Sequence, residues 1–516
     1  MRRALFLVCA LAVGCQKAGA PPKVDLPLLA HVPADTPYLY AMLEPVPRST
    51  WERFAPIVGD IEKLLKKSPP EDPVAKAILQ ELGGNLSWAG LRKLTGLDPG
   101  ARMVFYGVGL YPVARVELAD DKALPATVER ITKNAGVANP VVEHQGRKYW
   151  RYEEHDLVIA VAALDGQLVV AGGPKEIFDR DILPNVLGLA KPAKSALGEG
   201  TLAALIKKHE LGPYAGYLDT ALLLENSKQW IDKPACVSAL AAWTKRIPRA
   251  LLTTDRFKDG PLTGRMIVEL EPALARRLSE LVVEMPGFGP SKDAPFMVLG
   301  MAANLEKARL VLVDAAGAGA ALGEACDPEM ASEMKEAQAA LSQPLPPGVD
   351  GIQGVLVSVL SAKIGPDGPG DVHGFALIAA KDPGGLLDKL AAILPIPMDK
   401  LARDGKFHEL VPAGTIPVIG AVQAAVKSNA ILVATGEKGP AAAEKALANT
   451  GPAPLFYLAY DYGRLMDVMM PRGAMTDNDL FGMMKRVTEL FGVVSMTVRP
   501  TQAGLVIESS MGMRAP

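Results

Sequence analysis

Phe375-Ala376-Leu377-Ile378-Ala379-Ala380-Lys381-Asp382-Pro383 reads as an apolar strand delivered directly into a helix. Asp382 stands at the cap, where a carboxylate can take up orphan N–H groups, and Pro383 at the first helical position, where no N–H is needed. Leu386, Leu387, Leu390 and Leu394 then recur at helical spacing. The same order occurs far earlier. Val113-Ala114-Arg115-Val116-Glu117-Leu118 alternates as a half-buried strand, and Asp121 opens a helix carrying Leu124, Val128 and Ile131. A strand-then-helix unit written twice predicts a duplicated fold.

Four further correspondences keep the same sequence order. Asp35-Thr36-Pro37-Tyr38 matches Asp293-Ala294-Pro295-Phe296, each leading into an apolar strand. Gly96-Leu97-Asp98-Pro99 precedes the strand 102–108, as Gly348-Val349-Asp350-Gly351 precedes 355–360. Leu168 to Gly172 matches Ile431 to Thr435, and Tyr217-Leu218-Asp219 matches Ala459-Tyr460-Asp461. A Pro/Gly/Ser cluster, Met285 to Ser291, has the composition of a linker between the copies. The expected organisation is a first repeat over 28–285, a linker over 286–294 and a second repeat over 295–516.

The strands read as antiparallel. In Arg265 to Leu270, Met266, Val268 and Leu270 share one face and Arg265 and Glu269 the other, which predicts one dry face and one wet face. Each copy ends in a predicted hairpin, one around Lys258-Asp259-Gly260 and one around Gln502-Ala503-Gly504. A helix over Trp51 to Leu65, with Trp51, Phe54, Ile57, Val58, Ile61 and Leu65 on one stripe, would cover the dry face. The fold class is therefore α+β: a tandem duplication of mostly antiparallel sheets with helices packed on one face.

The first residues carry a different message. Arg2-Arg3, an apolar run from Ala4 to Val13, and the small residues before Cys15 have the order of a secretory signal. The run is half the roughly 20 residues that a bilayer span needs. Leu11-Ala12-Val13-Gly14-Cys15 resembles the lipobox of bacterial lipoproteins. That resemblance implies a signal peptide over 1–14, acylation of Cys15 and a membrane anchor, with 15–27 as a flexible tether. Gln16, in place of Asp, is similar to lipoproteins sorted to the outer membrane. Pro33-Ala34-Asp35-Thr36-Pro37 resembles the mature start of an uncharacterised family of secreted and lipid-anchored bacterial proteins, which has no agreed activity.

Composition narrows the function classes. The chain of 516 residues has a net charge of −2, and loss of Arg2 and Arg3 with the signal would take it two units further down. Without a concentrated basic surface, nucleic acid is not an expected partner. Of four cysteines, Cys9 leaves with the signal and Cys15 is the lipidation candidate. Cys236 and Cys326 remain, either as a disulfide in an oxidising periplasm or as two buried thiols.

No group of residues makes a convincing reactive centre. Ser332-Glu333-Met334-Lys335 has the Ser-x-x-Lys spacing of an activated serine but lacks the companion motifs. Glu153-Glu154-His155-Asp156 gathers acid–base groups, yet it lies between two strand-like runs, where a solvated hairpin turn accounts for it. The methionines Met466, Met469, Met470, Met475, Met483 and Met484 are dense, but helical spacing suits apolar packing better than copper. Asp219 and Asp461 read as helix caps, and Gly348 to Gly354 lacks the Lys of a phosphate loop. No metal and no cofactor are expected. The reading is a non-enzymatic, outer-membrane-anchored lipoprotein that binds an envelope protein or polymer. The alternative is a periplasmic lipid or hydrophobic-ligand carrier, on the Met cluster and the apolar stretch Val411 to Val426. A second alternative is an envelope hydrolase using Ser332 or His155.

Overall fold

The computed structural model describes residues 24–50, 71–82, 87–255, 261–288, 296–365, 368–393, 401–415, 420–469 and 490–513, with part of 52–59. The predicted helix over Trp51 to Leu65 lies largely outside the described residues. The first half supplies ten strands. They are β1 (Tyr38–Met42), β2 (Met103–Val108), β3 (Tyr111–Glu117), β4 (Val141–His144) and β5 (Arg147–Glu154), then β6 (Leu157–Leu164), β7 (Gln167–Pro174), β8 (Tyr214–Asp219), β9 (Arg249–Thr254) and β10 (Leu262–Glu269). The short β11 (Glu284–Pro286) pairs with β18 (Thr450–Pro452) in a separate two-stranded sheet. The remaining strands are β12 (Met297–Ala302), β13 (Ile352–Gly365), β14 (Gly368–Ala380), β15 (His408–Val411) and β16 (Val422–Val426). They are followed by β17 (Ala430–Thr435), β19 (Phe456–Asp461), β20 (Phe491–Thr501) and β21 (Gly504–Met513).

Nineteen of these strands form one sheet, and every pairing in it is antiparallel. From one edge the order is β4-β5-β6-β7-β3-β2-β1-β8-β9-β10, continuing β21-β20-β19-β12-β13-β14-β17-β16-β15 at the other edge. Read outward from the middle, the two halves have one connectivity: β10-β9-β8-β1-β2-β3-β7-β6-β5 repeats as β21-β20-β19-β12-β13-β14-β17-β16-β15. The duplicated sheets are thus continuous rather than separate. They meet where β10 pairs with β21, from Leu262↔Met511 to Glu269↔Gly504. In either half alone, each of these would be an open edge, a template for unwanted pairing. Joined, they make the connectivity of a two-fold dimer written as one chain. Gly504 closes this junction at φ +141, where a Cβ would lie 2.0 Å from the Val268 carbonyl oxygen.

The two main cores lie on one face of the sheet, called here the inner face. In the first half, Leu26, Leu28 and Leu29 at the 3-10 turn Pro27–His31 and Leu202, Leu205 and Ile206 of helix Thr201–His209 bury against Leu39, Val113, Tyr217 and Leu251. In the second half, Ala443 of helix Gly439–Leu447 and Met285 lie over Leu356, Leu377 and Leu432. Helix Pro383–Ile393 is an exception. Its Leu386 and Leu387 cluster with Ala424, Val426 and Ile431 on the opposite face at one end of the sheet. Asp382 caps this helix, accepting the Gly385 N–H at 2.9 Å.

Three expectations change. The tether does not run to residue 27, because Leu26 is fully buried and the Asp25 carbonyl accepts from Arg102. Asp121 does not cap the helix of the first repeat unit, which spans Ala123–Ala135 after Lys122. Asp120 instead accepts the Lys122 N–H, closing the turn before it. The polarity of Arg265 to Leu270 is also reversed: Glu269 lies under helix Thr201–His209 at 4 % exposure, while Met266 and Val268 are on the more open side.

A covalent link joins the halves a second time. Cys236, in helix Pro234–Arg246, is disulfide-bonded to Cys326 at the end of helix Leu305–Cys326, with Cα atoms 4.7 Å apart. Lys233 Nζ donates to the Cys326 carbonyl at 2.8 Å.

Candidate ligand-binding face

In an antiparallel sheet, directly paired residues point to the same side, so the register can be followed from strand to strand. One row starts at Val161 on β6 and passes through Val170, Ala114, Phe105, Tyr40, Gly216, Leu252 and Met266. Across the junction it continues through Ile507, Val498, Phe456, Met301, Val355, Ile378 and Ile431 to Val426 on β16. The row crosses sixteen strands. Moving two residues either way along each strand reaches Met42, Met103, Leu168, Leu218, Leu299 and Val357 on the same side.

Within the unbroken register of these sixteen strands, no Asp, Glu, Lys or Arg stands on this outer face. Within that register the charged residues, among them Arg115, Asp219, Arg249, Arg265, Glu269, Asp461, Arg499 and Glu508, point to the inner face. An antiparallel sheet with one face packed under helices normally shows polar residues on the other. Here the open side is apolar: Phe105 is 36 % exposed, Leu252 51 % and Met301 56 %. Two tyrosine hydroxyls on it are already used, Tyr38 donating to the Leu110 carbonyl and Tyr214 to that of Pro45, each at 3.1 Å. Tyr38 stacks on Phe105 with ring centroids 5.7 Å apart. At the far end the face disappears under Leu386 and Leu387, and at the near end Trp150 on β5 is buried.

Eight methionines stand on the outer face among the described residues: Met42, Met103, Met266, Met297, Met301, Met496, Met511 and Met513. Unbranched and polarisable, they form a surface that can re-pack around ligands of varied shape. Contiguous exposed apolar surface on this scale marks an interaction site.

The inner face holds the charged chemistry, and its partners are structural. Glu269 Oε1 lies 2.6 Å from Lys208 Nζ and 2.8 Å from His209 Nε2, and Arg249 Nε lies 2.9 Å from Asp219 Oδ2. Burial drives the Glu269 pKa up, but the hydrogen bonds from Lys208 and His209 outweigh it and hold the carboxyl below its ordinary value. Arg115 is buried with neutral acceptors: Tyr106 Oη, Gln167 Oε1 and the Asn185 carbonyl. Beside it is a cavity with room for about one water, lined by His31, Asp165 and Gln167 among others.

Of the stretches singled out in the sequence, Val411 to Val426 reaches the apolar face through Val422, Ala424 and Val426 of β16, whereas the reactive-group candidates fall outside it. Cys15 lies outside the described residues, as do Met470, Met475, Met483 and Met484. Ser332 and Lys335 sit on the exposed side of helix Pro328–Ser342, and Lys335 pairs with Glu324 at 2.6 Å. Glu153 to Asp156 form the end of β5 and its turn into β6, with His155 at φ +56 and Glu153 held by Lys175 and Arg151. Asp219 accepts from the Ala221 and Leu222 N–H groups, and Asp461 from Arg464 N–H. Gly348 to Gly354 run through a 3-10 turn into β13, and the Asp350 side chain accepts the Gly348 N–H. Among the described residues no group of three His, Cys, Asp or Glu could hold a metal. No helix among them is long and apolar enough to cross a membrane. Set against protein-family models, curated proteins and solved structures, the chain matches none of them.

The apolar face escaped the sequence reading because each strand was assigned one dry side and one wet side. Its signal was nevertheless present: in strand after strand one parity carries no charge, with Met where a solvated strand would carry Lys or Thr.

Proposed function

We propose that the protein is a non-enzymatic, outer-membrane-anchored lipoprotein that binds an apolar partner in the bacterial envelope on the outer face of its sheet. The observation that carries this reading is the absence of any charged side chain from that face across sixteen strands. Burial of such a surface gains roughly 25 cal/mol per Å² of apolar area. The lipobox-like Leu11 to Cys15 supports placement at a membrane, and the Cys236–Cys326 bond is consistent with an oxidising compartment.

The test uses the full chain secreted with Cys15→Ser and purified without detergent. The uncharged dye N-phenyl-1-naphthylamine should bind with enhanced fluorescence. Leu252→Lys with Met301→Lys should weaken that binding at least tenfold at an unchanged thermal midpoint, because both side chains are more than half exposed. Unaltered binding in the double variant would remove the outer face from consideration.

A further inference from the structure

We infer that the outer face takes the acyl chains of membrane phospholipids out of the bilayer to which the protein is anchored. This rests on the binding role proposed above and names its ligand.

Three observations converge. A protein–protein interface carries about one hydrogen bond per 100–200 Å² and draws its strongest contacts from Trp, Tyr and Arg. No strand residue in the register of the outer face is an arginine, though Arg53 reaches Met513 from outside the sheet, and of the tyrosines there (Tyr38, Tyr40, Tyr214 and Tyr460) Tyr38 and Tyr214 have their hydroxyls turned onto backbone carbonyls of this chain. Hydrocarbon needs neither donors nor acceptors, so this poverty of polar groups suits a lipid tail and not a folded partner. The second observation is the eight methionines, which suit a ligand that is itself flexible and variable in length.

The third is where the chain enters. Cys15 precedes the first described residue, Val24, by nine positions, and an extended segment of that length reaches about 30 Å at most. The described chain docks on the inner, helix-covered side of the sheet, where Val24 and Leu26 pack into the core and the Asp25 carbonyl accepts from Arg102 beside the start of β2. Arg102 is itself held by Glu117, with Nη2 2.6 Å from Oε1. An acylated Cys15 would therefore keep Val24, beside the start of β2, within about 30 Å of the leaflet.

The experiment mixes the detergent-free Cys15→Ser protein with phosphatidylethanolamine/phosphatidylglycerol vesicles containing a phospholipid with a pyrene-labelled acyl chain. Vesicles are then separated by flotation, and the protein is examined by native mass spectrometry. The expected result is soluble protein carrying labelled lipid, with uptake reduced at least tenfold by Leu252→Lys with Met301→Lys. Leu312→Lys, an equally exposed leucine on helix Leu305–Cys326, should leave uptake unchanged. Protein that floats with vesicles without removing lipid would overturn the inference, as would a clean apo mass. So would a dimer that excludes both lipid and dye until diluted. If the dye still binds while lipid does not, the apolar binding role stands and only the ligand is wrong; if both fail, both readings fall.

Discussion

His31 shows what one side chain costs when folding removes it from water. Its ring is half-buried, and Nδ1 is enclosed without a hydrogen-bond partner. Burial first, then the Arg115 and Lys191 charges, lower its pKa from 6.5 to about 4, with Asp165 opposing. The unfolded chain therefore takes up the proton first. Stability should be complete above the unfolded value of 6.5 and should fall as the pH drops from there toward about 4. For a half-exposed ring this is worth about 1–2 kcal/mol after screening. Urea midpoints at pH 7 and pH 5 should show the loss, and His31→Leu should flatten it. Glu269 acts in a lower window: its depressed pKa lends stability above the ordinary carboxylate range, and this is lost as pH falls through the folded value. Equal midpoints at pH 7 and pH 5 would show that His31 keeps its solvent.

At the scale of elements, local chemistry and tertiary contact part company. Asp382-Pro383 started a helix where its side chain and its missing N–H require one, and Asp219 capped the next run as its position after a strand implies. Asp121 did not, because Asp120 had already turned the chain. The Cys236–Cys326 bond is an element-scale device, tying helix Pro234–Arg246 of one half to helix Leu305–Cys326 of the other across a sequence separation of 90. Restricting the unfolded chain over such a loop is worth roughly 4–5 kcal/mol at 25 °C in the chain-entropy account. Cys236→Ser with Cys326→Ser should lower the denaturation free energy by a few kcal/mol, with far-UV circular dichroism unchanged in water. An unchanged midpoint would mean that the helix contact alone sets their distance.

For the whole molecule, the decisive feature is the β10–β21 junction. It merges two halves into one sheet, so they should melt as one body. All five tryptophans (Trp51, Trp88, Trp150, Trp230, Trp243) lie in the first half. Tryptophan fluorescence therefore follows that half, and far-UV circular dichroism follows both. The two transitions should coincide, and Ile267→Ala in β10 should shift both together by about 2–5 kcal/mol. Separate midpoints would indicate independently folding units. The sequence by itself determined the α+β class, the strand-and-helix order and its repetition, because periodicity, caps and turn residues act over a few neighbours. It also marked Cys15 through a local pattern. Only the tertiary structure decided that Arg265 and Glu269 lie inside while Met266 and Val268 lie outside. Alternation says that two faces differ, but which one is covered depends on where helix Thr201–His209 and its Lys208 and His209 arrive from elsewhere in the chain. The charge-free face is decided in the same way: sixteen short alternations, each unremarkable alone, become one apolar surface only when pairing sets their register.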